Sequence, residues 1–309
     1  MYRTGLISSL LIGGLLMLMS QDGELKAADG TPTTGASVPG AKLEKLADGF
    51  TFTEGPASDA AGNVYFTDQP NDKILKWSID GKLSTYKQPC GRSNGLCFDS
   101  QGNLWACADE HNQLWRIDAT GQVTVIVKDY EGKLLNGPND VWINPTNEGL
   151  YFTDPYYKRD YWKRGEKEQG EHVYYLSPDH QKLQRVVDNM KQPNGIIGTP
   201  DGKTLYIADI GDGKTYQYDI APDGTLTNAK LFCSMGSDGM TIDNEGNVYL
   251  TGKGATIFDK TGKQIEYIAV EESWTGNVCF GGKDMHTLFI TASKGLYAMQ
   301  MRTHGVGSQ

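Results

Sequence analysis

The sequence predicts an all-β protein, a six-bladed β-propeller closed by an N-terminal strand that joins the last blade, on three observations. A single polar residue recurs six times, as Glu54, Asn94, Asn139, Asn194, Asp238 and Asn277, each followed ten or eleven positions later by a hydrophobic run. Those runs (VYFTD, LWACAD, LYFTD, LYIAD, VYLTG and LFITA) begin at Val64, Leu104, Leu150, Leu205, Val248 and Leu288, at intervals of 40, 46, 55, 43 and 40 residues. A period of about 40–50 residues with strand-like content marks propeller blades. Composition agrees: 38 glycines, 16 tyrosines and frequent Asp-Gly or Gly-Asn pairs supply turns and strands, and no long stretch keeps a helical apolar period.

In chain order, residues 1–28 have the layout of an export signal. Arg3 gives the positive start, residues 5–19 are apolar, and Leu25-Lys26-Ala27-Ala28 offers small residues for cleavage. That apolar run is shorter than the roughly 20 residues of a spanning helix, so the mature chain is expected to carry no membrane span and to be exported, periplasmic or extracellular. An uncleaved anchor is the alternative. Residues 29–40 (DGTPTTGASVPG) have the composition of a flexible linker. The sixth repeat ends one strand short after LFITA and GLYAMQM, and residues 42–47 (KLEKLA) have no partner of their own. Pairing the two would seal the ring and remove an open sheet edge, which makes 41–303 one domain and 304–309 a disordered polar tail.

Within each blade the polar residue opens a short inner segment (EGPASD, NGLCFD, NDVWIN, NGIIGT, DGMTID, NVCFGG), a turn follows, and the alternating strand runs back as its antiparallel partner. If those segments are the innermost strands, the six polar side chains form a ring at one end of the central channel. The 55-residue interval arises from residues 156–171 (YYKRDYWKRGEKEQGE), a segment that either overhangs the channel mouth or is a solvated surface loop.

A net charge of −9 and a pI near 5.1 exclude duplex nucleic acid as a natural partner, since phosphate binding rests on clustered Lys and Arg. Five cysteines, none in a CxxC pair, read as structural: Cys97, Cys107 and Cys279 fall inside strands, and Cys90 could join a disulfide.

The ring holds two carboxylates and four amides, an oxygen-rich and net-negative donor set. Such hard donors suit Ca²⁺ or Mg²⁺, and Ca²⁺ accepts neutral amide oxygens more readily. One divalent cation of the calcium type is therefore expected, with Mg²⁺, Mn²⁺ or Zn²⁺ as alternatives. A zinc-hydrolase motif is absent, because His111, His172, His180, His286 and His304 form no HxH or HExxH pair. A second layer of acids follows from the hairpin register: Asp68, Asp154 and Asp209 end the second strands, Asp109 is displaced by one residue, and Asp140 follows a ring member. Asp140, Asp154, Asp209, Asn94 and Asn277 are thus expected around the cation or substrate, one acid orienting a ligand or taking a proton. The competing reading for any single Asn-Gly or Asp-Gly pair is a turn residue bonded to its own backbone.

These residues, with TEGPA at Glu54, RSNGLCFD at Asn94, NGPNDVW at Asn139, YFTDPYY at Asp154 and QPNGIIGTPDGKTLYIAD at Asn194, give the chain a close resemblance to the gluconolactonase and regucalcin (senescence marker protein) family. The resemblance implies a single divalent ion at the top of the channel, held at the positions of Glu54, Asn139, Asn194 and Asp238. It also implies hydrolysis of a small sugar lactone, with Asp238 helping to activate water. Animal members carry a substrate-contacting Arg where this chain has Gly137, leaving Lys158, Arg159 or Arg92 to supply that contact. His111 falls beside the pocket by register, as a proton carrier or a surface histidine. Two further function classes stay open at this point: an esterase or phosphotriesterase on the same site, and a propeller that binds a ligand or partner around a structural ion. The oligomeric state is not legible.

Overall fold

The computed structural model describes residues 18–19, 25–26 and 35–306. Leu18–Met19 pairs antiparallel with Leu25–Lys26 as a small unit by itself. The rest of the expected export signal and the linker through residue 34 lie outside the described residues, as do 307–309.

From Ala36 onward the chain builds six four-stranded antiparallel sheets. The inner strands are Thr53–Ser58, Ser93–Phe98, Val141–Ile143, Pro193–Gly198, Met240–Ile242 and Thr275–Gly281, and each contains one of the six recurring polar residues or begins two residues after it. In the first five blades the three strands that follow in sequence lie outward in order. Among the described residues helix is confined to two single 3-10 turns, Gln69–Asn71 and Asp109–His111, and no helix is long and apolar enough to cross a membrane.

In blades one, two and five the turn between the first two strands follows a sequence rule with a physical basis. In D-x-x-G-N-x-aromatic, the Asp Oδ1 accepts two backbone N–H groups and Oδ2 takes the Asn side chain, with the aromatic tip reaching the same oxygen. Asp99 accepts from Gln101 N (3.0 Å), Asn103 N (2.8 Å), Asn103 Nδ2 (2.8 Å) and Trp105 Nε1 (3.0 Å). Asp243 repeats the pattern through Tyr249 Oη (2.8 Å), and Asp59 through Tyr65 Oη (3.3 Å). Of these aromatics Tyr249 is fully buried, and the core is filled out by Tyr151, Tyr174, Phe66, Phe152 and Phe280, also fully buried. Each such side chain contributes about 1.5–3 kcal/mol relative to an exposed one.

Closure follows the expected route, one residue further along. Glu44–Asp48 pairs with Gly295–Gln300, aligning Asp48 with Gly295 and Ala47 with Leu296. The expected linker and tail, by contrast, are held where they are described. Ala36 N and Ser37 N both donate to Glu266 Oε2, at 2.7 and 3.0 Å, and Ser37 bridges to Met301. At the other end Gly305 bridges to Asp243, Thr303 is buried, and Val306 packs against the core. A polar composition misleads here because backbone groups and Glu266 supply the partners that a core would otherwise supply.

All five cysteines are free and buried, and burial pushes the Cys90 and Cys97 thiols up to about 12. A thiol reagent at about pH 8 is therefore expected to label no cysteine in the folded protein and all five after denaturation. Labelling of Cys90 in the folded state, read by peptide mapping, would contradict this packing.

Candidate functional site

The ring is assembled by close approach of neighbouring inner strands. A Cβ on Gly55 would lie 2.1 Å from Asn94 O, one on Gly95 2.5 Å from Asn139 O, one on Gly195 3.0 Å from Asp238 O, and one on Gly239 1.9 Å from Asn277 Cγ. The glycine after a ring residue thus makes room for the next blade's ring residue, which settles the Asn-Gly and Asp-Gly pairs as spacing devices rather than turns. At the seam between blades six and one the same service comes from Gly276, whose Cβ would stand 2.8 Å from the Glu54 carboxyl carbon.

At the channel end, Glu54, Asn94, Asn139 and Asp238 line a cavity of about 270 Å³, together with Tyr157, Arg159, Gln192, Trp274, Phe52 and Ile210. Asn194 stands in its wall, where its Nδ2 donates to Asp238 Oδ1 and to Tyr157 Oη, each at 2.8 Å. Asp238 Oδ2 accepts from Trp274 Nε1 at 2.5 Å. The Glu54 and Asp238 carboxyls line the same cavity, and Glu54 Oε2 accepts from Gly55 N at 3.1 Å. Burial, then the Asp238 charge, drives the Glu54 carboxyl well above the usual range. Burial raises Asp238 as well, against the hydrogen bonds from Trp274 and Asn194.

Two carboxyls, Glu54 buried and Asp238 partly so, share this cavity with Arg159 as its one cationic lining residue, so negative charge is in excess. A second feature points the same way: Asn194 Oδ1 is buried and accepts no hydrogen bond. An unsatisfied buried carbonyl costs about 1–3 kcal/mol, and a hard cation relieves both defects at once. Among the described residues no group of three or more His, Cys, Asp or Glu could share a metal, so a cation here has to draw on amide oxygens as well. Glu54, Asp238, Asn139 and Asn194 fit that requirement.

The remaining expected residues divide by depth. Asp140 and Asn277 lie below the cavity, beside a space of about 20 Å³ lined by Leu96, Ile196 and Met240. There Asn277 Nδ2 donates to Asp140 Oδ2 at 3.4 Å across the channel, and burial pushes Asp140 up to about 7. They floor the pocket instead of lining it.

Asp154 and Asp209 have a different task from the one expected of them. Asp154 accepts from Asn136 N and Gly137 N, both at 2.9 Å, and Asp209 from Lys191 N and Gln192 N at 2.9 and 3.0 Å. Asp68 holds Thr51 N and Phe52 N in the same way. These carboxylates clamp the backbone that leads into the inner strand, because a carboxylate at a strand end satisfies paired N–H groups that the ladder leaves over. His111 is exposed and stacks on Trp115 with ring centroids 5.3 Å apart, away from the cavity.

Sequence reasoning missed Tyr157, Gln192, Trp274, Phe52 and Ile210. Phe52 and Gln192 each stand two residues before a ring position, a register the repeat contains. Trp274 stands three before Asn277 because the strand bulges between Thr275 and Asn277.

A family model described as SMP-30/Gluconolactonase/LRE-like region matches residues 52–294. A gluconolactonase of Zymomonas mobilis subsp. mobilis is 28% identical over 295 residues, 85% of this chain and 82% of that protein. Regucalcin of Oryctolagus cuniculus is 24% identical over 76% of this chain and 81% of its own length. Among solved structures, a gluconolactonase from Xanthomonas campestris superposes with a TM-score of 0.80 at 29% identity, covering 86% of this chain and 91% of that one.

Proposed function

The chain belongs to the SMP-30/Gluconolactonase/LRE-like family, and from that premise we propose that it hydrolyses sugar lactones in the cavity around Glu54 and Asp238, with one divalent cation of the calcium type. The observation that carries this reading is a pair of carboxyls, Glu54 buried and Asp238 partly so, lining a cavity of about 270 Å³ with an unsatisfied buried amide oxygen on Asn194 next to Asp238. That volume lies just below the roughly 300–1,000 Å³ of ordinary small-molecule sites, which favours a single-ring substrate.

A divalent cation held by Glu54, Asn139, Asn194 and Asp238 would supply Lewis acidity toward the lactone carbonyl and its developing oxyanion. The chain's own groups do the rest. Trp274 and Asn194 fix the two oxygens of Asp238, so that its carboxylate takes a proton from the water attacking the carbonyl carbon. As the ring C–O bond breaks, that proton goes to the leaving ring oxygen and the product is the open hydroxy acid. Asp140 and Asn277 close the channel beneath and keep bulk water from reaching the reacting centre from that side. Export is proposed on the layout of residues 1–28 alone.

Purified protein is expected to open D-glucono-1,5-lactone, to lose that activity in chelator, and to regain it with Ca²⁺ more fully than with Mg²⁺, Mn²⁺ or Zn²⁺. Stopped activity on every lactone, with calcium still raising the melting temperature, would replace the hydrolase by a binding propeller around a structural ion. Faster turnover of a phosphotriester than of any lactone would move the reaction to phosphorus.

A further inference from the structure

Residues 156–171 send Tyr157 and Arg159 into the cavity lining; the later part of the segment is tied to residues 134–136, and the part around Arg159 is tied to one acid of blade two. Tyr161 Oη donates to Asp109 Oδ2, Arg159 Nε lies 3.4 Å from the same oxygen, and Trp162 Nε1 donates to the Asp109 carbonyl at 2.9 Å. Asp109 is almost fully buried, and the Arg159 guanidinium carbon sits 5.2 Å from the centre of the Tyr157 ring. The arginine is thus held by one edge and one face. Its two terminal nitrogens take no acceptor among the described residues, and the side chain lines the cavity. Lys158 is exposed, and Arg92 stacks on Tyr161 and lies 3.6 Å from Glu110, so neither is a second cation of the cavity.

Gly137 explains why the donor comes from this connection. Its φ is +153°, and a Cβ there would lie 2.5 Å from Asp109 Oδ1 and 2.9 Å from the Trp162 ring. With the tied-down segment in place, no side chain can reach the cavity from that position. Arg159 Nε makes no hydrogen bond, its link to Asp109 being the 3.4 Å ion pair, and the two terminal nitrogens carry four N–H donors in a fixed plane. Polyhydroxylated lactones offer hydroxyl oxygens to such a fork, whereas an unsubstituted lactone offers only its ester, which belongs to the Glu54 and Asp238 side of the cavity.

Resting on the lactonase reading, we propose that Arg159 binds the ring hydroxyls of the substrate and selects sugar lactones over plain alkyl lactones, with Asp109 as its positioning residue. The pair is a recognition unit carried by the lengthened blade-three connection, separate from the groups that carry the hydrolysis.

The test compares wild type, Arg159→Ala, Arg159→Lys and Asp109→Asn, each as the full calcium-loaded chain, on D-glucono-1,5-lactone and on δ-valerolactone. Arg159→Ala is expected to raise KM for the sugar lactone about 100-fold with kcat within about threefold, and to leave δ-valerolactone within about threefold of wild type. Arg159→Lys and Asp109→Asn are expected to raise KM for the sugar lactone by about tenfold. A purely structural role for the connection would depress turnover of both lactones together, and that result overturns the proposal, as does an unchanged KM. Calorimetric titration with D-gluconate separates the two claims. If wild type opens no lactone, the lactonase reading falls, and gluconate binding that survives in Arg159→Ala unchanged still overturns the role of Arg159.

Discussion

Asp238→Asn is expected to lower kcat/KM on a sugar lactone by about 10³–10⁴-fold, or roughly 4–5.5 kcal/mol of transition-state stabilisation. The loss is large because the substitution removes two functions together. The carboxamide has no basic oxygen pair with which to take the proton of the attacking water, and it withdraws one of the two negative charges available to a cation. Stability is expected to move the other way. In the cation-free protein Asp238 sets a second, partly buried carboxyl near the buried Glu54, whose carboxyl its charge pushes further up. Replacing Asp238 with a neutral group of the same shape removes repulsion and desolvation cost at once, and this offsets the one hydrogen bond, from Trp274 or Asn194, that the amide nitrogen no longer accepts. Cation-free Asp238→Asn is therefore expected to melt no lower than cation-free wild type, and to gain much less on adding Ca²⁺, since stabilisation by a ligand scales with its affinity for the folded state. Calorimetric scans with and without Ca²⁺, alongside steady-state kinetics, check both halves. A variant that keeps activity within about tenfold of wild type would remove Asp238 from the reaction.

Gly55→Ala is the second substitution of large expected effect, although it adds a single methyl group. Residue 55 has a φ of +41°, and the added Cβ would fall 2.1 Å from the backbone oxygen of Asn94 and 2.6 Å from Gly95 Cα. Both obstacles are backbone, so no rotamer change relieves them. Left-handed backbone strain together with overpacking predicts a loss of about 2–4 kcal/mol, or roughly 5–15 °C in Tm for a domain of this size. The damage also reaches the cavity, because the residues forced apart are those that place Glu54 and Asn94. Activity is expected to fall further than stability alone explains, with weaker Ca²⁺ affinity by titration. Wild-type melting and Ca²⁺ affinity in Gly55→Ala would show that the inner strands have slack.

Much of the molecule is legible because the repeat carries two independent signals. The polar residue at the head of each inner segment and the hydrophobic run ten or eleven positions after it recur in all six blades, so blade number, strand order and the closing strand follow from spacing. Glu54, Asn94, Asn139 and Asp238 are legible as a group for the same reason. Depth along the channel is harder to read. Asn277 occupies the ring register but drops to the floor beside Asp140, because the strand bulge before it changes which way the side chain leaves the backbone. Asp154 and Asp209 show a different limit. An acid at a strand end satisfies either a ligand or two spare amides, and only the lead-in backbone of residues 136–137 and 191–192 reveals which. Trp274 and Tyr157 carry no repeat signature at all, since each arrives from a connection whose path is set by tertiary contacts.

The seam that closes the ring also frees the protein from its own starting point. Ala36 O accepts from Arg302 N at 2.8 Å, so the two ends of the propeller meet within a single hydrogen bond of each other. A short covalent splice there would leave every sheet intact, and new ends could open at an exposed outer turn such as the one Asp118 caps between the last two strands of blade two. The order in which the ribosome delivers the blades is thus an accident of the gene, and a circularly rearranged chain encodes the same ring, cavity and donor set.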